Sequence, residues 1–290
     1  MKSNLVKIML AISGFAITIF LSCADNPALE FPSEEQIRQR YSSSKMEASS
    51  SSAKPGSSSI APSSSSTSPP PSSSSIPSSS TTIKYGSVTD DGGRTYKTVE
   101  INYPEENLSL FGNPSPQVWM AENLNYNVSG SVCYDGQEIN CGKYGRLYNW
   151  ATAMKLPLDC NSENCADQID AKKHRGICPV NWHIPTEAEW STLIMMTGGK
   201  SGASANLKAK DGWNSIVGKD GNGIDAYGFT ALPGGSGNSD NDFSSVGNLG
   251  SWWGNRGSSN AYTIVISTIL AVIETEYIKS TLISVRCIKD

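Results

Sequence analysis

Seven cysteines are the residues best able to do chemistry in this chain of 290 residues. An odd count leaves one sulfur outside any set of internal disulfides. Cys160 and Cys165 stand together in "DCNSENC", a spacing that suits a short structural bridge or dithiol exchange. Exchange needs a thiolate held by nearby cations. Lys155 and Lys172 are close in sequence, but Asp159, Glu163 and Asp167 oppose them, so a structural disulfide is expected. His174 and His183 make no zinc spacing with each other or with cysteine, and His183, beside Trp182, is expected to be packed structure. Serine is abundant, yet no G-x-S-x-G elbow occurs. The chain is expected not to be an enzyme.

Two oxygen-rich loops could hold a hard cation. "KDGNGIDAYGF" presents Asp220, Asn222 and Asp225 on a glycine-rich turn, suited to a structural Ca²⁺. "GNSDNDF" adds Asp240 and Asp242. Neither is a twelve-residue EF-hand loop, and Asx turns account for both without a metal. Trp252 and Trp253 are adjacent, so on a strand they face opposite sides. One is expected in the core and the other on a binding face, stacked on a sugar ring or a partner surface with Tyr227, Phe243 and Tyr262 nearby. Burial of both beneath loops is the competing reading.

The unpaired sulfur sets the compartment. "MKSNLVKIMLAISGFAITIFLSC" has Lys2 and Lys7, an apolar run from Ile8 to Leu21, then Ser22 and Cys23. A charged start and a short apolar stretch before a small residue predict a secretory leader over 1–22. The run is shorter than the ~20 residues of a membrane span. Its end resembles a bacterial lipobox, which implies a lipid on Cys23, a membrane partner through that lipid and, from Ala24, an outer-membrane lipoprotein. Six cysteines then remain for pairing.

A short segment follows over 23–41, and then a serine- and proline-rich tract over 42–82. It carries almost no apolar side chains to offset the entropy of ordering it. It is predicted to be a disordered linker with an end-to-end distance of roughly 35 Å. Net charge is -4 with no basic block. A nucleic-acid partner needs a basic footprint and is excluded.

The elements that must position these side chains lie in 85–290. "TYKTVEINY" (95–103) and "QVWMAENLNY" (117–126) read as strands, the second with Val118, Met120 and Leu124 inward. "GRLYNWATAMKL" (145–156) has Leu147, Trp150 and Met154 at helical spacing. In "HIPTEAEWSTLIMMTGG", Thr186 and Glu189 form a capping box, and Trp190, Leu193 and Ile194 share a face. "SANLKAKDGW" reads as a short helix or turn. The β-branched C-terminal stretch from Tyr262 predicts hairpin strands. Six cysteines allow 15 pairings. Short loops favour Cys133 with Cys141 and Cys160 with Cys165, which leaves Cys178 for Cys287.

"QVWMAENLNY", "YGRLYNWATAM", "CPVNWHIPTEAEWSTL", "DAYGFTALPGG", "GSWWGN" and "SVRCIKD" occur in that order. The set resembles the Fibrobacter succinogenes major paralogous domain family, from about Tyr96 to Asp290. The motif order is also similar to the formylglycine-generating-enzyme branch of C-type-lectin-like folds. The resemblance implies an α+β, C-type-lectin-like domain with a small antiparallel sheet, one or two main helices and long disulfide-stapled loops. It implies an exported, often lipid-anchored protein, and on such a protein the tethered domain is expected to be a non-catalytic recognition module for a polysaccharide or a surface protein. The alternatives are a structural envelope protein or a thiol oxidase, although the redox cysteines of formylglycine-generating enzymes lie nearer the final strands than Cys160 and Cys165.

Overall fold

The computed structural model describes residues 82–103, 115–216, 218–268 and 272–290, all within the second of two compact units, Ser75–Asp290. The leader, Cys23 and the serine-rich tract through residue 81 lie outside the described residues.

The first strands are β1 (Lys84–Thr89), β2 (Thr95–Ile101), β3 (Gln117–Met120), β4 (Ser131–Val132), β5 (Leu147–Tyr148) and β6 (Trp182–His183). Next come β7 (Ser236–Gly237), β8 (Phe243–Ser244), β9 (Leu249–Gly257), β10 (Asn260–Ser267), β11 (Ile273–Ile278) and β12 (Ile288–Lys289). The helices are α1 (Glu138–Tyr144), α2 (Trp150–Met154), α3 (Glu187–Met196) and α4 (Gly199–Leu207). One five-stranded antiparallel sheet runs β1-β2-β3-β12-β6, and a three-stranded one runs β11-β10-β9. β4 pairs with β5, and β7 with β8.

This corrects the expected fold class. Among the described residues there are four sheets and four α-helices, in place of one small C-type-lectin-like sheet with one or two helices. The extra elements lack local signatures. β6 and β12 are two-residue strands whose partners are distant in sequence. α1 has no side-chain N-cap, and neither does α4. β1, KYGSVT, is almost wholly exposed and enters the sheet through its hairpin with β2.

Two further expectations shift. The strand expected over 117–126 stops at Met120, and Trp119 rather than Val118 is buried. The stretch 145–156 opens as strand β5 and turns helical only at Trp150, where Asn149 Oδ1 accepts from the Thr152 N–H at 2.9 Å. The capping box forms as expected, with Thr186 Oγ1 accepting from the Glu189 N–H and the Glu189 carboxylate accepting from the Thr186 N–H.

Strand alternation divides the interior in two. Val99 and Ile101 of β2, Trp119 of β3, Trp252 of β9, and Ile264 and Ile266 of β10 pack with Trp190, Leu193 and Phe229. Tyr96, Met120, Trp253 and Val265 from the same strands pack with Leu124, Tyr148, Trp150 and Met154. β9 and β10 are buried along almost their whole length. A continuous apolar run such as TIVI is what a strand covered on both faces requires. Trp119, Trp190, Phe229 and Trp252 form a ring cluster with centroids 4.7 to 6.3 Å apart, each such pair adding about 0.5–1.5 kcal/mol beyond its area.

Three disulfides close the domain: Cys133–Cys141, Cys160–Cys165 and Cys178–Cys287. The first two are the pairs that short loops favour, and the third is the pair they leave. The last joins the approach to α3 to the C-terminal segment across 109 residues.

Three buried cations hold loops by their backbone carbonyls. Arg286 donates to Phe229 O, Thr230 O and Asn123 Oδ1 and lies 4.3 Å over the Phe229 ring. Burial pulls its pKa down to about 9, so it remains cationic at neutral pH. Lys208 Nζ donates to Gly221 O, Ser267 O and Thr268 O, 5.0 Å from the Trp213 ring. Lys279 donates to Glu163 O, 5.2 Å from the Trp150 ring. Burial lowers both lysines below their ordinary value.

Candidate functional site

A polar cleft of about 420 Å³ opens between the β1–β2 turn and the Cys133–Cys141 loop, lined by Asp90, Gly92, Arg94, Asn125, Tyr126, Asn127, Glu138 and Arg146. The turn is built by Asp90. Its Oδ1 accepts from the Gly92 and Arg94 N–H groups, and its Oδ2 accepts from the Tyr96 hydroxyl at 2.5 Å. Its carboxylate is therefore spent on the fold. Burial, and after it that bond, raises the Tyr96 hydroxyl far above the usual phenol range. Arg94, one residue before β2, stays exposed at the rim.

The floor is the segment 125–127. The Tyr96 hydroxyl accepts from the Asn125 N–H at 3.1 Å, and the Asn125 side chain donates to Cys141 O at 2.9 Å. The Tyr126 carbonyl accepts from the Tyr148 hydroxyl at 2.9 Å. Gly92 lies so close to the Tyr126 ring that a Cβ there would stand 3.0 Å from it. A side chain at residue 92 would have to move the ring.

The far wall comes from the disulfide loop. Glu138 sits in the first turn of α1, inside the ring closed by Cys133–Cys141. Arg146 follows Gly145, whose φ of 77° and close approach to Leu124 O leave no room for a Cβ. The Arg146 N–H donates to Leu124 O at 3.0 Å, which fixes its backbone to the floor segment. Arg146 is 8% exposed, and its Nη2 donates to Glu138 Oε1 at 3.1 Å. Among the described residues, its buried Nε has no hydrogen-bond partner.

The residues expected to bind are elsewhere. Trp252 and Trp253 are both 0% exposed, Tyr262 is buried and Tyr227 is half-buried. Neither tryptophan can stack on a sugar, because β9 is covered on both faces. Their indole N–H groups are also committed, Trp252 to Asn123 Oδ1 and Trp253 to Tyr148 O. The Tyr262 hydroxyl donates to Glu274 Oε2, and the Tyr227 hydroxyl to Met196 O. Phe243 packs on Tyr134 instead of joining the tryptophans.

The Asp220, Asn222 and Asp225 oxygens each serve a turn. Asp220 Oδ1 accepts from the Asn222 N–H, Asn222 Oδ1 from the Trp213 N–H, and the Asp225 carboxylate from the Thr230 N–H and hydroxyl. Asp240 and Asp242 lie on a turn in which Asn238 Oδ1 accepts from both of their N–H groups. Among the described residues, Cys133, Glu138 and Cys141 bring three metal-competent side chains together, but both sulfurs are consumed by their mutual bond.

Cys160 and Cys165 are bonded and buried. His174 is tied to Met154 O and to the Asp170 N–H. His183 is buried between Asp290 and Glu189, at 2.7 Å from Nδ1 and 3.0 Å from Nε2.

The cleft residues were reachable from sequence in part. "DDGG" is a hairpin-turn signal, and "NLNYN" places polar side chains beside an aromatic ring. Nothing local, however, brings Arg94 near Arg146. The model of the Fibrobacter succinogenes major domain family matches residues 115–289, which includes the floor and far wall of the cleft but not the β1–β2 turn. No curated protein and no solved structure matches the chain. Among the described residues, no helix is long and apolar enough to cross a membrane.

Proposed function

The chain belongs to the Fibrobacter succinogenes major domain family, and on that premise we propose that its disulfide-stapled head is a non-catalytic recognition domain. It binds polysaccharide in the cleft between the β1–β2 turn and the Cys133–Cys141 loop. The supporting observation is the lining itself: a half-buried tyrosine ring flanked by Asn125, Asn127 and Arg94. Sugars offer an apolar ring face edged with hydroxyls, and a ring beside amides and a guanidinium complements that pattern. Cys160 and Cys165, bonded to each other, take no part.

In this reading Cys23 carries lipid and the tract 42–82 holds the cleft clear of an outer-membrane surface. Support for that placement is the charged start, the apolar run to Leu21 and the Leu21–Ser22–Cys23 sequence.

Affinity electrophoresis of the full chain through gels holding plant and bacterial polysaccharides tests the reading. At least one is expected to retard the protein. Asn127→Ala and Arg94→Ala, both at exposed positions, are expected to weaken retardation by about tenfold or more, the loss of one good contact, with the melting temperature unchanged. Retardation equal in both variants and the parent overturns it.

A further inference from the structure

We propose, resting on the cleft being the recognition site, that its ligand is an acidic saccharide whose carboxylate replaces Glu138 on Arg146. Arg146 is the more deeply set of the cleft's two cations, 8% exposed, and one edge of its guanidinium is incompletely used. Nη2 reaches a single Glu138 oxygen at 3.1 Å, and among the described residues the buried Nε reaches no acceptor. A guanidinium is always charged and its planar donors match a carboxylate two at a time. A carboxylate set squarely against Nε and Nη2 would satisfy the donor that the fold leaves unmet.

Glu138 is suited to give way. Its side chain is 79% exposed, and ion pairs with a solvated partner contribute little. Displaced, it returns to water with its charge hydrated. The other acid of the cleft does not compete, since both Asp90 oxygens are bonded within the turn and to Tyr96. Arg94 at the rim supplies a second cation. An entering uronate thus meets two guanidinium groups and one displaceable carboxylate, with the Tyr126 ring beside its sugar face. A neutral sugar offers Arg146 only hydroxyls, which are weaker acceptors than an ionised oxygen.

Equilibrium binding of the full chain to oligogalacturonate, oligoglucuronate and oligomannuronate, each beside its carboxyl-reduced counterpart, tests this. At least one acidic form is expected to bind about tenfold or more tighter than its reduced form, as charge-assisted pairing implies. Glu138→Gln is expected to tighten binding of that acid, because the competing charge is gone. Arg146→Gln is expected to erase the difference between acid and reduced forms. Arg94→Ala, at an exposed site, is expected to shrink that difference, and it carries the test if Arg146→Gln fails to fold. Binding that is lost in Asn127→Ala but equal for acid and reduced forms overturns the acidic ligand and leaves the cleft reading standing. Binding unaffected by both Asn127→Ala and Arg94→Ala overturns both readings. Failure of every acidic oligosaccharide to bind overturns the acidic ligand.

Discussion

At the scale of single residues, His183 combines burial with two carboxylate partners. Burial opposes its charge, but the hydrogen bonds and charges of Glu189 and Asp290 outweigh it and raise its pKa above the ordinary value. The stabilisation it provides is therefore complete below about pH 6.5, where the unfolded histidine is also protonated. It fades as pH rises through the folded value. Urea unfolding of the parent and His183→Gln from acidic to mildly alkaline pH is expected to show a stability difference that shrinks upward. A difference constant across that range would refute it. The sequence placed His183 correctly as packed structure, since its neighbours are Trp182 and a helix cap. Trp252 and Trp253 show the limit of the same method. Their alternation on a strand was legible, but whether each face is covered depends on segments far away in sequence. Arg146 was missed for a related reason, because its unmet Nε is a matter of what fails to reach it.

At the scale of elements, the three disulfides differ in what they secure. The Cys178–Cys287 bridge spans 109 residues, for which chain entropy predicts about 4.7 kcal/mol of stabilisation, a model-dependent figure. The Cys133–Cys141 bridge spans 8, for which the same relation gives about 2.5 kcal/mol. Replacing Cys178 and Cys287 by serine is expected to lower stability by more than replacing Cys133 and Cys141. The short-loop pair is instead expected to lose saccharide binding while still folding, because that loop receives the Asn125 side chain and walls the cleft. Denaturant midpoints and binding isotherms on the two double variants check both halves. Elements with local chemistry were legible: the Thr186–Glu189 box, the alternation of β2, the β-branched run of β10. The two-residue strands and α1 were not, because their stability comes from partners that no local window contains.

At the scale of the whole molecule, the family match begins at residue 115, whereas the folded unit begins earlier. Strand β2 sits between β1 and β3 and buries Tyr96, Val99 and Ile101, contributing side chains to both halves of the interior. A chain starting at residue 115 is expected to lose cooperative unfolding and to expose both cores, measured by calorimetry and dye binding. A sharp transition near that of the full chain would show the hairpin to be dispensable. Because the same hairpin supplies Arg94 to the cleft, a matched span alone describes neither a complete fold nor a complete site.

Arg286, Lys208 and Lys279 grip their loops chiefly through peptide oxygens, at Phe229, Thr230, Gly221, Ser267, Thr268 and Glu163. Every amino acid carries that oxygen, so the hydrogen bonds themselves do not depend on which side chain the gripped residue bears. At an exposed gripped position such as Glu163 the side chain can therefore change while the path of the loop stays anchored.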